Sequence, residues 1–254
     1  MKIYQNYHCH KYLSNIFTPD SPSSLEEYVK RIKELGHKVL SSVEHGFQGN
    51  YFYAYKLAKE NDLKFIFGTE AYWVKDRLEE YPEIDEETGE YKVDKKTKEI
   101  KKHKDNTNCH MIILAKSENG RKAINKILST ANEDGYYYKP RLDLSLIFSL
   151  PQDDVFITTA CIAGWWYEDM DDIVVKLHNY FKDNFMLEVQ YHHTQSQKDL
   201  NKRILELSKK HNINIIAGMD SHFNYEEDSK RRDDILEYKK IKYENEEGWF
   251  LDYP

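Results

Sequence analysis

The stretch DLNKRILELSKKHNINIIAGMDSH, residues 199–222, contains one complete unit of a helix followed by a strand. Four side chains in its first half fall near one face of a helix, namely Leu200, Ile204, Leu207 and Ser208. The apolar run 213–218 then indicates a buried strand, and this run leads into Asp220-Ser221-His222. A helix that precedes a buried strand is the repeating unit of an α/β sheet.

The same alternation recurs along the whole chain. Further helices are predicted at SLEEYVKRIKELG, where Ser23 or Ser24 is a suitable N-cap, and at NYFYAYKLAKEND. The predicted strands are 3–8, 38–43, 64–73, 110–115, 155–160, 184–191 and 214–219. Alternating strands and helices favour a parallel sheet covered by helices. We therefore expect an α/β fold, a distorted TIM-like (β/α)7 barrel, formed by residues 1–254 as a single domain.

One segment, residues 76–108, interrupts this alternation. It is highly charged, acidic at first and then basic, and Glu87-Thr88-Gly89-Glu90 is typical of a hairpin turn. We expect an inserted hairpin or flap. It is either a solvated surface excursion or, through its lysines at 95–104, a basic arm that contacts phosphate backbones. No internal repeat is evident in the sequence.

Composition restricts the class of protein. The 254 residues carry a formal charge of −7, which argues against a protein that coats nucleic acid by general attraction. An acidic protein can still act on phosphates if bound cations reverse the charge in its cleft. The sequence has no apolar run of membrane length, and MKIYQNYHCH lacks an apolar signal core, so we expect a cytoplasmic protein. The three cysteines are expected to be reduced thiols.

The motif His8-Cys9-His10 ends the first predicted strand. Side chains two apart on a strand point to the same face, so both imidazoles can converge there, as in a metal site. A lone motif of this kind is weak evidence, but further candidate ligands are associated with other predicted strands. These are His45 in EHG, Glu70 closing KFIFGTE, His110 opening HMIILA, Cys161 in TTAC, and Asp220 with His222 in DSH. Except for His110, they follow strands, where the active sites of barrels are built.

This order of motifs resembles the polymerase-and-histidinol-phosphatase (PHP) superfamily. The surrounding sequence is similar to the branch of bacterial replicative DNA polymerase III alpha subunits, in the motifs GTEAY, ILAKSENGRKAINKILS, GYYYKPRLDL, TTACIAG, FMLEVQYHH and DSHF. The resemblance extends from residue 3 to residue 240. It implies a site for two or three divalent metal ions, which the mixture of ligands suits to zinc, manganese or iron.

The resemblance also implies a role for each ligand. His8, His10, Glu70 and Asp220 would bind a first metal, and of these His10, Glu70 and Asp220 are expected to be catalytic. Glu70 would bridge to a second metal, bound also by His110 and Cys161. His45 and His222 would bind a third metal, whose remaining ligand is expected shortly after the HxH motif, where no histidine occurs and Asn15 or Asp20 would substitute. Glu44 stands where the family usually has aspartate, and it is expected to orient His45.

Other polar residues are candidate substrate contacts. Lys139 and Arg141 would bind a substrate phosphate or would instead form a structural ion pair near Pro140. Glu188 is expected to line the pocket, and His192 and His193 to contact substrate. The aromatic triplet at 165–167 would either stack on bases or pack beneath a loop.

The resemblance implies a metal-dependent phosphoesterase. The first hypothesis is a proofreading-type 3′→5′ exonuclease that acts on DNA 3′ ends, with a polymerase domain in the same or a partner chain and no membrane. A second is a small-molecule phosphomonoesterase of the histidinol-phosphatase type. A third is a catalytically silent, metal-stabilised module of a DNA polymerase.

Overall fold

The structure, a computed structural model, describes residues 4–192 and 194–240. The strands are β1 Val39–Ser42, β2 Lys64–Val74, β3 Glu80–Pro82, β4 Lys102–Lys104, β5 Cys109–Ala115, β6 Tyr136–Tyr137, β7 Lys139–Asp143, β8 Val155–Thr158, β9 Phe185–Gln190 and β10 Ile215–Gly218. The helices are α1 Leu25–Glu34, α2 Tyr51–Glu60, α3 Glu118–Glu133, α4 Leu144–Phe148, α5 Met170–Phe181, α6 Gln195–His211 and α7 Ser229–Lys239.

The fold is a mixed α/β half-barrel, which confirms the predicted fold class. Eight strands form one curled sheet in the order β10-β9-β8-β5-β2-β7-β6, with β1 paired to the first half of β2. Most neighbouring strands are parallel, but β5 runs antiparallel to both β2 and β8. Since β6 also runs antiparallel to β7, the expectation of a parallel sheet was wrong at β5 and at β6. Because β5 is reversed, its first residues lie at the edge where the parallel strands end, which is why His110 opens its strand.

The predicted strand at 3–8 was also wrong in its described part. Residues 4–8 form no regular strand, and the segment meets the sheet through one bridge between Cys9 and Ser221. The His10 amide donates to the Ser221 carbonyl at 2.7 Å, and the Ser221 amide donates to the His8 carbonyl at 3.2 Å. Asp220 has a left-handed backbone with φ 48°, so the chain turns just after β10 and offers few further backbone groups for pairing.

Local sequence signals explain several helix ends. Ser24 and Glu27 form a capping box at the start of α1, which selects Ser24 over Ser23 as the N-cap. Thr194 caps α6, which ends at Asn212 in the left-handed conformation. Leu200, Ile204 and Leu207 on α6 are buried in the main core, which lies between the sheet and the helices α3, α5 and α6. A smaller core joins α1 and α2 to β1.

The charged insertion contains the antiparallel pair β3 and β4 and, between them, two similar turns. In each turn an aspartate, Asp85 or Asp94, accepts two backbone amides, and a threonine hydroxyl accepts a third. The turns follow each other at a spacing of nine residues, so the sequence does contain a short local repeat. Gly89 and Lys98 occupy equivalent positions, with φ 72° and 66°.

This equivalence predicts opposite effects for a matched pair of substitutions. A side chain in the left-handed conformation costs about 1 kcal/mol relative to glycine. A Cβ at Gly89 would meet no atom within 4 Å, so Gly89→Ala isolates this backbone cost. We expect Gly89→Ala to speed amide hydrogen exchange in the flap about fivefold, and Lys98→Gly to slow it by a similar factor. Equal exchange rates in wild type and both variants would contradict the equivalence of the two turns.

Candidate metal centre

The first group of ligand atoms comes from the HxH motif and the turn after β10. The Nε2 atoms of His8 and His10 lie 3.0 and 3.1 Å from the Asp220 Oδ1 atom. The same two atoms lie 3.4 and 3.2 Å from the carboxylate of Glu70 on β2. All four side chains are buried. The two imidazoles therefore converge on both carboxylates, as their spacing predicts.

A second group lies on the other side of the Glu70 carboxylate. Its Oε1 atom is 3.0 Å from His110 Nδ1, and its Oε2 atom is 2.5 Å from His45 Nδ1. Cys161 approaches the same place, with its Sγ atom 3.5 Å from His110 Nδ1 and 3.9 Å from Glu70 Oε1. One carboxylate thus reaches both groups, which is the placement that a bridging ligand requires.

A third group consists of His10, His45 and His222, whose ligand atoms lie within 4.8 Å of one another. Asp20 joins this group because its Oδ2 atom is 3.3 Å from His222 Nε2. Asn15 does not take this position. Its Oδ1 atom accepts the backbone amides of Asp20 and Ser21, both at 2.9 Å. Of the two expected substitutes, the structure brings Asp20 to the site and uses Asn15 to shape the loop that carries it.

Two glutamates support the ligands from behind, and both differ from expectation. Glu44 was predicted to orient His45. Instead it accepts a hydrogen bond from Ser14 Oγ at 2.6 Å, and Ser14 Oγ lies 3.2 Å from His10 Nδ1. Neighbouring residues in extended chain project in opposite directions, so Glu44 points away from the ring that follows it. Its charge is balanced by the buried Lys11, whose Nζ atom is 3.0 Å away.

Glu188 was predicted to line the pocket as a substrate contact, but it is only 1% exposed. Its carboxylate accepts hydrogen bonds from Tyr7 Oη at 2.6 Å, Thr158 Oγ1 at 2.8 Å and Gln190 Nε2 at 2.8 Å. It also lies 2.6 Å from His8 Nδ1, and this contact leaves His8 Nε2 facing Asp220 and Glu70. Glu188 therefore holds the His8 ring in place and is too buried to be reached by a substrate.

Burial and neighbouring charges shift the pKa values of the side chains in the site in opposite directions. Burial opposes charge on Glu70 and Asp220, but the surrounding imidazoles outweigh it and hold the pKa of both carboxylates well below its ordinary value. Burial lowers the pKa of His10, yet Glu70 and Asp220 raise it to about 10. Burial and the nearby His10 lower the pKa of His45 to about 4. Burial, with Asp220 and Glu70, raises the pKa of the Cys161 thiol.

The buried polar atoms at the centre fit divalent cations. His8 Nε2, His10 Nε2, Glu70 Oε2 and Asp220 Oδ1 make no hydrogen bond of good geometry, although they lie close together. Both ring nitrogens of His45 are in the same situation. Buried polar groups are normally satisfied, and atoms that converge without aligning donors on acceptors are the pattern of a ligand set. Imidazole, carboxylate and one thiol are ligands that zinc, manganese or iron accept.

Of the next two candidate substrate contacts, Lys139 lies near the site and Arg141 does not reach a substrate. Lys139 is near the site, with its Nζ atom 4.1 Å from the centre of the Tyr72 ring, and that ring is 5.2 Å from His110. Arg141 was predicted to hold phosphate, but it is fully buried and donates to the carbonyls of Gly135, Asp105 and Arg77. A guanidinium committed to three carbonyls fixes the base of the flap and is not available to a phosphate.

The last two candidates follow β9. His192 lies beside this strand, with its Nε2 atom 3.1 Å from Gln190 Oε1. His193 lies outside the described residues.

Three supporting residues carried no signal in the sequence. Ser14 connects His10 to Glu44, while Tyr7 and Thr158 hold Glu188. Serine, threonine and tyrosine are common in every part of the chain, and only the folded arrangement shows which hydroxyls reach a carboxylate. The buried Lys11 likewise looks like an ordinary surface lysine in the sequence.

The fold and this arrangement of ligands are those of a metal-binding α/β protein. Comparison with known families makes the assignment more specific, since a model of the PHP domain matches residues 6–192. The chain therefore belongs to the PHP domain family, as its motifs predicted. None of the helices in residues 4–192 and 194–240 combines the length and the apolar composition needed to cross a membrane.

Several relatives are named DNA polymerase III subunit alpha. The chain is 29% identical over 260 residues to that of Aquifex aeolicus, a match that covers 98% of the chain and 21% of the relative. It is 26% identical to that of Borreliella burgdorferi, over 85% of the chain and 18% of the relative. The chain thus spans about a fifth of the length of these curated relatives.

Among solved structures, one described as a metal-dependent phosphoesterase from Bifidobacterium adolescentis superposes with a TM-score of 0.52. It is 12% identical, and the superposition covers 86% of this chain and 87% of that chain. Similarity at this level of identity shows a shared fold.

The position of the Glu188 carboxylate depends on the absence of a side chain at Gly218. A Cβ at Gly218 would lie 2.0 Å from Glu188 Oε1. We therefore expect Gly218→Ala to displace this carboxylate, to free the His8 ring and to weaken zinc binding at least tenfold in a calorimetric titration of metal-stripped protein.

Two variants serve as companions in this experiment. Gly89→Ala, far from the ligands, controls for the added methyl group and is expected to bind zinc like the wild type. Glu188→Gln keeps the size of the side chain but removes its charge, and it is expected to weaken binding in the same direction as Gly218→Ala. Unchanged zinc affinity in both Gly218→Ala and Glu188→Gln would show that Glu188 does not position His8.

Proposed function

We propose that this chain is a metal-dependent phosphoesterase and that it acts as a 3′→5′ exonuclease on DNA 3′ ends. The observation that carries the proposal is the shared Glu70 carboxylate, which lies within reach of four imidazoles at the centre of three ligand groups. Sites that hold two divalent cations about 3.5–4 Å apart are typical of enzymes that displace a group at phosphorus.

The family resemblance, together with these overlapping ligand groups, suggests which residues would hold each ion. His8, His10, Glu70 and Asp220 would hold the first, and Glu70, His110 and Cys161 the second. His45, His222 and Asp20 would hold the third. Zinc, manganese or iron, when bound, would polarise the phosphoryl oxygens and activate water for in-line attack.

The residues of the chain would do the remaining work. Glu188 and the pair Ser14 and Glu44 orient the HxH imidazoles, so that both Nε2 atoms face the carboxylates. The Lys139 ammonium, which lies over the Tyr72 ring near the site, would neutralise charge on a bound phosphate. The reaction needs no protein nucleophile, and the raised pKa of the buried Cys161 thiol suits a ligand that loses its proton only to a cation.

We propose DNA as the substrate because of the curated relatives of this chain. Relatives that cover nearly the whole chain are named DNA polymerase III subunit alpha, and on this basis we propose a polymerase domain as the partner of this one. We also propose that residues 1–254 form a single domain with the flap as an insertion. A small-molecule phosphomonoesterase and a silent structural module remain the alternatives that the following experiments test.

Replacement of Glu70 with alanine tests the shared carboxylate. We expect turnover of both p-nitrophenyl phosphate and single-stranded DNA to fall below detection, and metal content to fall by at least one ion per chain in elemental analysis. Loss of one carboxylate affects two ions at once, so Glu70→Ala should lose more metal than His222→Ala. Glu118→Ala, on the exposed start of α3, is the control. Full activity and unchanged stoichiometry in Glu70→Ala would rule out the bridging role.

Deletion of the flap distinguishes a nucleic-acid substrate from a small one. Glu80 pairs with Lys104 across the base of the flap, so removal of residues 79–103 takes out the β3 strand and most of β4 and joins Leu78 to Lys104 near this base. Asp105 stays in place to meet Arg141 and Tyr167. We expect the deletion to weaken cleavage of DNA severalfold, to reduce its dependence on salt and to leave turnover of p-nitrophenyl phosphate unchanged.

Lys102 in the basic half of the flap is already paired with Glu80 at 3.4 Å, so this lysine must leave its partner before it can contact DNA. DNA cleavage that is unaffected by the deletion would show that the flap is a surface excursion. Preference of the wild type for the monoester would favour the small-molecule phosphatase. Absence of turnover on either substrate with zinc, manganese or iron would identify a structural module.

A further inference from the structure

Three consecutive aromatic residues follow the Cys161 turn, and they have different environments. Trp165 is 7% exposed, belongs to the main core and lies 5.2 Å from the Arg203 guanidinium. The Tyr167 hydroxyl donates to Asp105 Oδ2, and its ring is 5.4 Å from that of Trp73. Trp166, between them, is 57% exposed. The outer two residues anchor the segment, and the middle one presents its indole to solvent.

The exposed indole lies beside the metal centre. The centre of its ring is 6.4 Å from that of His110, which is the most exposed of the imidazoles around Glu70. Tyr72 lies 5.2 Å from the same imidazole and carries the Lys139 ammonium on its face. An apolar plane therefore adjoins His110, and a positive charge lies beyond the neighbouring Tyr72 ring.

The backbone turn that carries the indole is closely packed. Trp166 immediately follows the short helix Ile162–Trp165, and the Gly164 amide donates to the Cys161 carbonyl at 2.9 Å. A Cβ at Gly164 would lie 2.1 Å from the Thr159 carbonyl oxygen and 2.9 Å from that of His110. The turn thus packs directly against the backbone of two neighbouring segments. An aromatic residue on such a packed turn loses less conformational freedom when a ligand stacks on it than one on a mobile loop would.

We propose that Trp166 is a stacking platform for a nucleobase at the 3′ end of a single-stranded polynucleotide, and that it selects such strands over small phosphomonoesters. This inference rests on the proposed phosphoesterase function, since the stacked nucleotide places its phosphodiester toward the ligand groups. The chain has a net charge of −7, so general attraction for a nucleic acid is unavailable. Stacking on an indole supplies affinity that does not depend on charge or on base sequence.

The test compares Trp166→Ala with the wild type on two DNA substrates and one small substrate. The DNA substrates are single strands that end either in a normal nucleotide or in an abasic one. We expect Trp166→Ala to raise KM for the normal end about tenfold, with kcat changed less than twofold. The abasic end should be a poor substrate for the wild type and equally poor for the variant. Turnover of p-nitrophenyl phosphate should not change.

Two variants serve as controls. Trp166→Phe retains an aromatic plane and should keep most of the affinity for the normal end. Tyr238→Ala removes an aromatic side chain that is 83% exposed on α7, and it should behave like the wild type. Equal losses on DNA and on p-nitrophenyl phosphate in Trp166→Ala would overturn the proposal, since they would show that the indole only supports His110. An unchanged KM for the normal end would overturn it as well.

A binding measurement separates this proposal from the proposed function. Fluorescence anisotropy of a labelled single strand with a phosphorothioate 3′ linkage reports affinity without turnover. If the wild type binds this strand about tenfold more tightly than Trp166→Ala, the stacking platform is supported even if no substrate is cleaved. If the wild type and Trp166→Ala bind equally, or if neither binds, the platform is refuted even if p-nitrophenyl phosphate is a good substrate.

Discussion

The Glu70 carboxylate is fully buried and lies between 2.5 and 3.4 Å from four imidazoles, those of His8, His10, His45 and His110. A buried charge costs several kcal/mol unless its surroundings neutralise it, and the surrounding imidazoles offset that cost enough to hold the pKa of Glu70 well below its ordinary value. His8 and His10 share one motif, but this motif, His45 and His110 lie on three segments far apart in sequence, and the curled sheet brings the three together. The half-barrel, the reversal of β5 and the turn after β10 together bring the histidines and Asp220 to the Glu70 carboxylate. The site therefore constrains the fold as strongly as the hydrophobic core does.

Much of this arrangement could be predicted from the sequence, because the ligands follow strands whose apolar runs are clear. The runs that became β1, β2, β5, β8, β9 and β10 were predicted to within two residues at each end. Asp220 and His222 were expected beside the HxH motif for the same reason, and Asp220 Oδ1 lies about 3 Å from both Nε2 atoms. The apolar pattern of a strand or helix is a property of that segment alone, so it can be recognised without knowing which segments pack against it.

What could not be predicted depends on contacts between segments. Asn15 and Asp20 are equally suitable ligands in the sequence, and only the loop geometry, in which Asn15 binds the Asp20 amide, decides between them. Glu44 was assigned to His45 and Glu188 to the substrate because the partner of a buried carboxylate is set by the segments packed around it, Ser14 and Lys11 for Glu44 and Tyr7, His8 and Thr158 for Glu188. The direction of β5 was missed because an apolar run reads the same in both directions.

The carboxylates of Glu44 and Glu188 also hold the HxH motif firmly in the fold. Glu188 fixes His8 from one side and Ser14 with Glu44 fixes His10 from the other, while Cys9 between them is buried in the core formed by α1, α2 and β1. The ligand rings are thus connected to packing on both sides of the barrel wall. Because cations would join ligands from residue 8 to residue 222, binding them would stabilise the folded chain as a whole, since the unfolded chain has no such site. Protons compete for the same imidazoles, and the raised pKa of His10 means that a cation must displace a proton there, so metal affinity and its contribution to stability both decrease as the pH falls.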